Sequence, residues 1–264
     1  EGAGGGVALG DSGSYRRGAG EDRFGQVRGN GGSKSDGCSV WVVPGEGLQA
    51  PRTVLAWYGE GFGKLSRIYH RVFRENLCRS PYRNRIRPVL LNSWEAAYFD
   101  FDDEKLLSIA REAVDLGVDL FVMDDGWFGK RDDDNSGLGD WKENRGKLKM
   151  GVRRLSEEIH RMGMKFGVWV EPEMVSEDSD LYRLHPDWCL REPGRPAVRG
   201  RNQLVLDLSL RDVFYHLGEA MPGVLALAPM SRGEWDMQPT LAQRSAGRLD
   251  RAPTGVVVTQ VLHR

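Results

Sequence analysis

The residues with the clearest chemical potential are a pair of carboxylates. Asp124 and Asp125 follow the apolar run Leu120 to Met123 and precede Gly126 and Trp127. A buried strand cannot hide two unpaired carboxylates, because stripping water from an isolated charge is very costly. The pair must therefore emerge at the strand's end, where a glycine lets the chain turn and a tryptophan supplies an apolar wall. Other apolar runs end in the same way: Trp94 with Glu95, Trp169 with Glu171 and Glu173, Asp207, and Trp235 with Asp236. Carboxylates bond sugar hydroxyls and serve as nucleophile and acid in glycoside cleavage. Indole faces stack on the C–H faces of a pyranose. The set has the composition of a carbohydrate site. Singly, each member has a plainer reading: a core tryptophan, a strand-ending glutamate, or a structural acceptor in the case of Asp207. Adjacent residues on a strand face opposite ways, so Asp124 and Asp125 suit two hydroxyl contacts better than attack and protonation at one bond.

These residues need elements to hold them. From Arg87 the pattern alternates strand and helix. Strands are expected at Val89 to Glu95, Asp119 to Trp127, Lys165 to Glu173 and Leu204 to Ser209, with a short one near Trp235 and Asp236. Helices are expected over Asp102 to Leu116, closed by Gly117, over Val152 to Met162, closed by Gly163, and over Arg211 to Leu227, where Pro222 weakens the turn. A short helix or turn fits Leu181 to Trp188, and a long polar loop fits Lys130 to Met150. Strand–helix repeats imply parallel strands with right-handed crossovers. No glycine-rich phosphate fingerprint follows the first strand, which disfavours a nucleotide-binding open sheet. Strand ends rich in Trp, Asp and Glu favour a barrel, which gathers them at one mouth. About five strands are readable where a closed barrel has eight. Upstream, the glycine-rich residues 1–37 read as loop or disorder. Cys38 to Val43 and Pro51 to Tyr58 read as strands, and Leu65 to Leu77 as an amphipathic helix.

Bulk properties exclude several classes. Among 264 residues the net charge is −1 and 28% of residues are charged, so neither nucleic acid nor a membrane surface is an expected partner. Three widely spaced cysteines (Cys38, Cys78, Cys189) form no disulfide framework, and five scattered histidines form no zinc site. A cytoplasmic location is the simplest expectation. Asp132-x-Asp134-x-Ser136-Gly137 with Asp140 and Glu143 has calcium-loop spacing, but Gly139 stands where a branched apolar residue belongs and no helix pair flanks it. These spacings lead to the expectation of no metal site.

Several motifs in one order resemble the α-galactosidases of glycoside hydrolase family 36. They are Arg87 to Phe99 (RPVLLNSWEAAYF), Met123 to Gly129 (MDDGWFG), Gly139-Asp140-Trp141, Gly163 to Ser176 (GMKFGVWVEPEMVS), His185 to Trp188 (HPDW) and Gly200 to Ser209 (GRNQLVLDLS). A looser likeness upstream includes Phe24 to Val27, Pro44-Gly45-Glu46, and Ser66 to Arg71. The resemblance implies an incomplete (β/α)8 TIM barrel preceded by a remnant of a β-sandwich. Residues 1–60 would be the end of an N-terminal β-supersandwich, 61–86 a linker helix and connector, 87–240 part of the catalytic barrel, and 241–264 a divergent tail. It implies a retaining hydrolase that removes terminal α-linked galactose from raffinose-type oligosaccharides without a cofactor. Family members are often oligomers, so self-association is among the expected partners.

By the same resemblance Asp124 and Asp125 would bind galactose hydroxyls, Trp169 would wall the pocket, and Arg201 would hold a hydroxyl or a neighbouring carboxylate. The family nucleophile lies in a Lys-Trp-Asp-Met-Asn stretch. The matching segment here is Glu234 to Gln238 (EWDMQ), which makes Asp236 the nucleophile candidate. Glu234 thus replaces a substrate-binding lysine, and Gln238 replaces an asparagine. The anion is expected to raise the pKa of Asp236 and to weaken sugar binding. The resemblance fades after Gln238, and no segment matches the family's acid/base aspartate. That is the pattern of a truncated or frameshifted copy, inactive as this chain. The alternatives are a non-catalytic galactoside-binding remnant and a galactosyl-transferring member of the same barrel family.

Overall fold

The computed structural model describes residues 4–10, 15–33, 42–47, 52–191, 196–197, 199–208 and 210–236. They divide into two compact units between Arg87 and Pro88.

The first unit contains β1 (Gly4–Leu9), β2 (Tyr15–Glu21), β3 (Val27–Ser33), β4 (Thr53–Tyr58) and α1 (Gly61–Asn76). β1 pairs antiparallel with β4, placing Gly6 opposite Ala56, and β2 pairs antiparallel with β3. This corrects the expectation of loop or disorder for residues 4–9, 15–21 and 27–33, whereas residues 1–3, 11–14 and 34–37 of that stretch lie outside the described residues. Glycine weakens a strand unless another group must approach its backbone closely, and here one does. A Cβ on Gly6 would lie 2.6 Å from Leu65 Cδ1 and 2.9 Å from Tyr69 Cε2, both on α1. The glycines let the helix settle on the ribbon. The β2–β3 turn is held by Asp22, whose Oδ1 accepts from the backbone N–H groups of Phe24 and Gln26. Of the strand expected at Cys38 to Val43, residues 38–41 lie outside the described residues, and Val42 and Val43 are irregular.

The second unit runs β5 (Leu90–Asn92), α2 (Trp94–Ala97), α3 (Asp103–Asp115), β6 (Leu120–Met123), α4 (Gly151–Arg161), β7 (Lys165–Val170), β8 (Met174–Val175), α5 (Asp180–Leu184), β9 (Leu204–Val205), α6 (Arg211–Leu225) and β10 (Arg232–Trp235). Four strands form one parallel sheet in the order β5-β6-β7-β10. Each new strand joins the same side as its predecessor. An open doubly wound sheet reverses direction at a switch point, and a (β/α) barrel does not. Local chemistry fixes the helices between them. Asp102 caps α3 by accepting from the Lys105 N–H at 2.9 Å, and Asp103 and Glu104 complement the helix dipole in its first turn. Gly117 and Gly163, at φ +80° and +90°, take the left-handed conformation that ends α3 and α4. Leu106 and Ala110 of α3 and Leu155 and Ile159 of α4 are fully buried in one core with Phe121 of β6 and Phe166 of β7.

Two further expectations are corrected. Leu204 to Ser209 is not a barrel strand: only Leu204–Val205 is extended, and it pairs antiparallel with β8 in a separate ribbon. Ser209 lies outside the described residues. Lys130 to Met150 is irregular, as its composition suggests, but it is not a solvated loop. Leu138 and Leu148 are fully buried, and the Lys147 ammonium donates to the carbonyls of Phe99 and Arg131. A few apolar residues and one lysine anchor a segment whose average polarity hides them.

The Gly6 contact yields a paired test. Gly6→Ala is expected to cost about 1–3 kcal/mol by overpacking. Gly29→Ala in β3, where a Cβ meets nothing within 4 Å, is expected to be neutral or slightly stabilising. Thermal unfolding of both variants reads the difference, and equal melting temperatures would contradict the close approach.

Candidate active site

A cavity of about 340 Å³ opens at the C-terminal ends of the parallel strands. Asn92 ends β5, and Trp94 and Glu95 begin the helix after it. Asp124 and Asp125 follow β6, Trp169 lies on β7, Glu234 lies on β10, and Asp236 follows β10. Arg201 enters from the turn before β9. All of these line the cavity. The candidates Asp124, Asp125, Trp169, Arg201, Glu234 and Asp236 are therefore brought together, and Gln238 lies outside the described residues.

Asp124 and Asp125 both face the cavity because they lie past the strand, where strict alternation no longer applies, but they turn to different partners. The Asp124 N–H donates to Ser93 Oγ at 3.0 Å. Its Oδ1 accepts from the Asp125 N–H at 2.7 Å, and its Oδ2 accepts a short bond from Asn92 Nδ2. The same Asn92 nitrogen donates to Glu234 Oε2 at 3.1 Å. One amide thus bridges two carboxylates. Burial pushes the Asp124 carboxyl up to about 6, the two hydrogen bonds oppose the shift, and the like charges of Glu234 and Asp125 add to it. Glu234 thus acts as a like charge on Asp124, a residue 110 positions earlier in the chain.

Asp125 is 2% exposed and grips Arg131, which is fully buried. Arg131 Nε donates to both carboxylate oxygens, at 3.0 and 3.1 Å, and Nη2 donates to Oδ2 at 2.8 Å. Burial pushes the Asp125 carboxyl up, while Arg131 and, more weakly, Arg201 pull it down. Arg131 Nη1 donates onward to the Ser136 carbonyl at 3.0 Å.

Trp169 Nε1 donates to Asp236 Oδ2 at 3.4 Å, and the Asp236 N–H donates to the Val170 carbonyl at 2.9 Å. Asp236 is thus tied to β7 through both side chain and backbone. Trp127, expected to wall the site, is fully buried instead and supports the wall from behind: its Nε1 donates to the Trp169 carbonyl at 2.9 Å. Trp94 supplies a second aromatic surface, with the Arg201 guanidinium 6.0 Å from its ring centre. Glu171 and Glu173 are buried beside the cavity rather than in it, and Glu173 accepts from Trp235 Nε1 at 2.8 Å. The acidic run with calcium-loop spacing is engaged by the protein: Asp132 pairs with Lys147 at 2.9 Å, Asp134 pairs with Arg201 at 2.7 Å, and Asp133 accepts from Asn135 and Ser136. No cluster able to hold a metal occurs among the described residues.

Sequence reasoning passed over Asn92 and Arg131. Asn92 carried a usable signal, since it ends an apolar run just as Asp124 does. Arg131 carried none, because an arginine beside three aspartates reads as solvated charge. The site offers acceptors in its carboxylates, a donor in Arg201, and two indoles, which together suit a polyhydroxylated ring.

The melibiase family pattern matches residues 47–262. The α-galactosidase AgaA of Geobacillus stearothermophilus is 49% identical over 216 residues, covering 82% of this chain and 30% of the relative. The α-galactosidase Mel36A of Lactobacillus acidophilus is 40% identical, covering 90% of this chain and 32% of the relative. The chain spans less than a third of the length of these curated relatives. The crystal structure of the family 36 α-galactosidase AgaB from G. stearothermophilus superposes with a TM-score of 0.92 at 43% identity, over 98% of this chain and 36% of that one. A variant of AgaA crystallised in complex with raffinose gives 0.90 at 43% identity, over 98% of this chain and 37% of that one. The parallel sheet is accordingly part of a TIM barrel, and the chain belongs to the melibiase family, with the α-galactosidases of glycoside hydrolase family 36.

Proposed function

We propose that the cavity binds the terminal galactose of raffinose-type α-galactosides and that these residues form part of a retaining α-galactosidase site. The observation that carries this reading is the meeting of Asp236, Trp169 and the Asp124–Asp125 pair at one cavity from three strand ends. In a retaining mechanism one carboxylate attacks the anomeric carbon to give a glycosyl-enzyme, and a second carboxyl group protonates the leaving oxygen and then activates water. Asp236 takes the attacking role. The bond from Trp169 Nε1 to Asp236 Oδ2 restrains the carboxylate while the indole face lies against the sugar. Asp124 and Asp125 accept from hydroxyls, Arg201 donates to one, and Glu234 and Gln238 complete the contacts.

A second reading has a specific support. Five carboxylates line the cavity (Glu95, Asp124, Asp125, Glu234 and Asp236) against the single guanidinium of Arg201. A neutral sugar gains less from such a site than from one with a lysine at 234. A galactoside-binding chain without turnover fits that balance. A galactosyl-transferring relative differs in its acceptor site, and the same pocket would serve it. The reading also takes residues 1–60 as the end of a β-supersandwich, 61–86 as linker, 87–240 as barrel and 241–264 as a divergent tail, in a cytoplasmic protein able to self-associate. No helix among the described residues is long and apolar enough to cross a membrane.

Two outcomes are expected. The 264 residues alone release no p-nitrophenol from p-nitrophenyl α-galactoside, because no described carboxylate is assigned the acid role. Turnover that vanishes in Asp236→Asn would overturn this expectation and mark Asp236 as the attacking carboxylate. The second outcome concerns pH. The Asp124 carboxyl stands at about 6 in the fold against an ordinary 3.8. The folded state therefore holds its proton more tightly, and the associated stability is complete below pH 3.8 and lost as pH rises through 6. The loss is about 2–3 kcal/mol. Galactoside affinity should move the opposite way and rise through pH 6, since the ionised carboxylate accepts stronger hydroxyl bonds. Asp124→Asn should flatten both profiles. Urea unfolding and calorimetric titration from pH 4 to 8 read them, and unchanged slopes in the variant would refute the assignment.

A further inference from the structure

Arg201 sits in an unusual backbone. The Gly200 N–H donates to the Gln203 carbonyl at 3.1 Å, and the Gln203 N–H donates back to the Gly200 carbonyl at 2.8 Å. The two residues between them, Arg201 and Asn202, have φ of +48° and +64°. That is a two-residue turn with both central residues left-handed, a geometry that favours Asn-Gly and penalises a side chain with a Cβ. A long cation is thus displayed from a turn that does not favour it, and the turn alone does not set where its guanidinium points.

Something outside the turn does. Asp134 Oδ1 accepts from Arg201 Nη2 at 2.7 Å. Asp134 belongs to the segment after β6, 67 residues earlier in the chain, and that segment is itself fixed. Asp133 Oδ1 accepts from the Asn135 N–H at 2.8 Å and from Ser136 Oγ at 3.1 Å. The one Ser136 hydroxyl proton is shared between that carboxylate and the Lys130 carbonyl, which lies nearer at 2.8 Å. The Asp134 carboxylate lies 3.8 Å from Arg131 Nη2 as well. The arginine that clamps Asp125 and the arginine that faces the cavity therefore share one carboxylate. Arg201 is 31% exposed and Asp134 41%, so water competes for the pair. Its value lies in direction more than in stability.

We propose that Asp134 is a positioning residue for sugar recognition: it aims the Arg201 guanidinium into the cavity. This rests on the reading that the cavity takes α-galactosides, and it predicts that Asp134 acts on affinity only through Arg201.

The test is a double-mutant cycle on the full 264-residue chain, titrated calorimetrically with p-nitrophenyl α-galactoside. Asp134→Ala should weaken binding about tenfold, the effect of one charge-assisted bond lost at second hand. Asp134→Asn, which keeps an acceptor oxygen, should recover part of the loss. In an Arg201→Ala background, Asp134→Ala should change nothing further. A general structural role would weaken binding equally in both backgrounds, and that result overturns the proposal, as does unchanged affinity in the single variant. A second measurement needs no ligand. Phenylglyoxal should modify Arg201 several-fold faster in Asp134→Ala than in the parent chain, read by peptide mass spectrometry. Equal rates would mean that Asp134 does not hold the guanidinium. If the parent chain binds no galactoside, the functional reading fails by itself, and the modification rates still decide whether Asp134 fixes Arg201.

Discussion

The site depends on one buried ion pair. Arg131 is fully buried and Asp125 nearly so, with only an edge at the cavity, and neither is tolerable without the other. Removing one partner of such a pair typically costs about 3–5 kcal/mol, because the remaining charge is stranded. The geometry repays burial by using most of the guanidinium. Nε and Nη2 are spent on Asp125, and Nη1 reaches the Ser136 carbonyl and, at 3.5 Å, Ser176 Oγ. With the Gln203 amide turned so that its oxygen accepts from Arg131 Nη2 at 2.8 Å, its nitrogen donates to Glu171 Oε2 at 3.3 Å. One arginine thus ties the end of β6, the segment after it, the residues after β8 and the turn that displays Arg201. These are loops, with little regular structure to hold them. Their order comes from sharing a buried cation.

That arrangement separates two tasks that the adjacent aspartates might seem to share. Asp125 is neutralised by Arg131 and acts as the fixed point. Asp124 has no arginine in contact: its partners are an amide, a backbone N–H and a like charge, so burial dominates and pushes its carboxyl up to about 6. Burial pushes both carboxyls up, but only at Asp125 does a contacting arginine oppose the rise, a difference set by which way each turns after the strand.

Much of this was legible in the sequence, where a local rule had one answer. Asp102 before an apolar period and Gly117 after it mark α3, and the run ending at Asp124 marks β6 and the cavity mouth. Trp169, Arg201, Glu234 and Asp236 were placed by the family resemblance, and the cavity gathers them. The unread parts depend on partners distant in the chain. Glycines in β1 look like disorder until α1 is seen to need their bare backbone. Leu204 to Ser209 looks like a barrel strand until β8 claims it in an antiparallel ribbon. Arg131 looks solvated because composition cannot show that Asp125 waits inside. In each case the deciding neighbour is chosen by tertiary packing, which overrides local propensity.

The bond from Asn92 to Glu234 joins the fold to the chemistry. β5 and β10 are the two outer strands of the four-stranded sheet. In a flat sheet, strands three places apart stand about 14 Å apart. Yet Asn92 Nδ2 lies 3.1 Å from Glu234 Oε2, so the sheet curls until the side chains of its outer strands meet across the mouth. Barrel curvature thus sets what faces what, and residue 234 is brought to Asp124 by geometry, whatever its charge. The resemblance read in the sequence implies a lysine there, and a lysine would meet the Asp124 carboxylate as a counter-ion. Glutamate meets it as a like charge, with one amide between them. The charge at 234 on the last described strand therefore adds to the upward push that burial exerts on a residue after the second, because the curl of the sheet brings the two side chains together at the site.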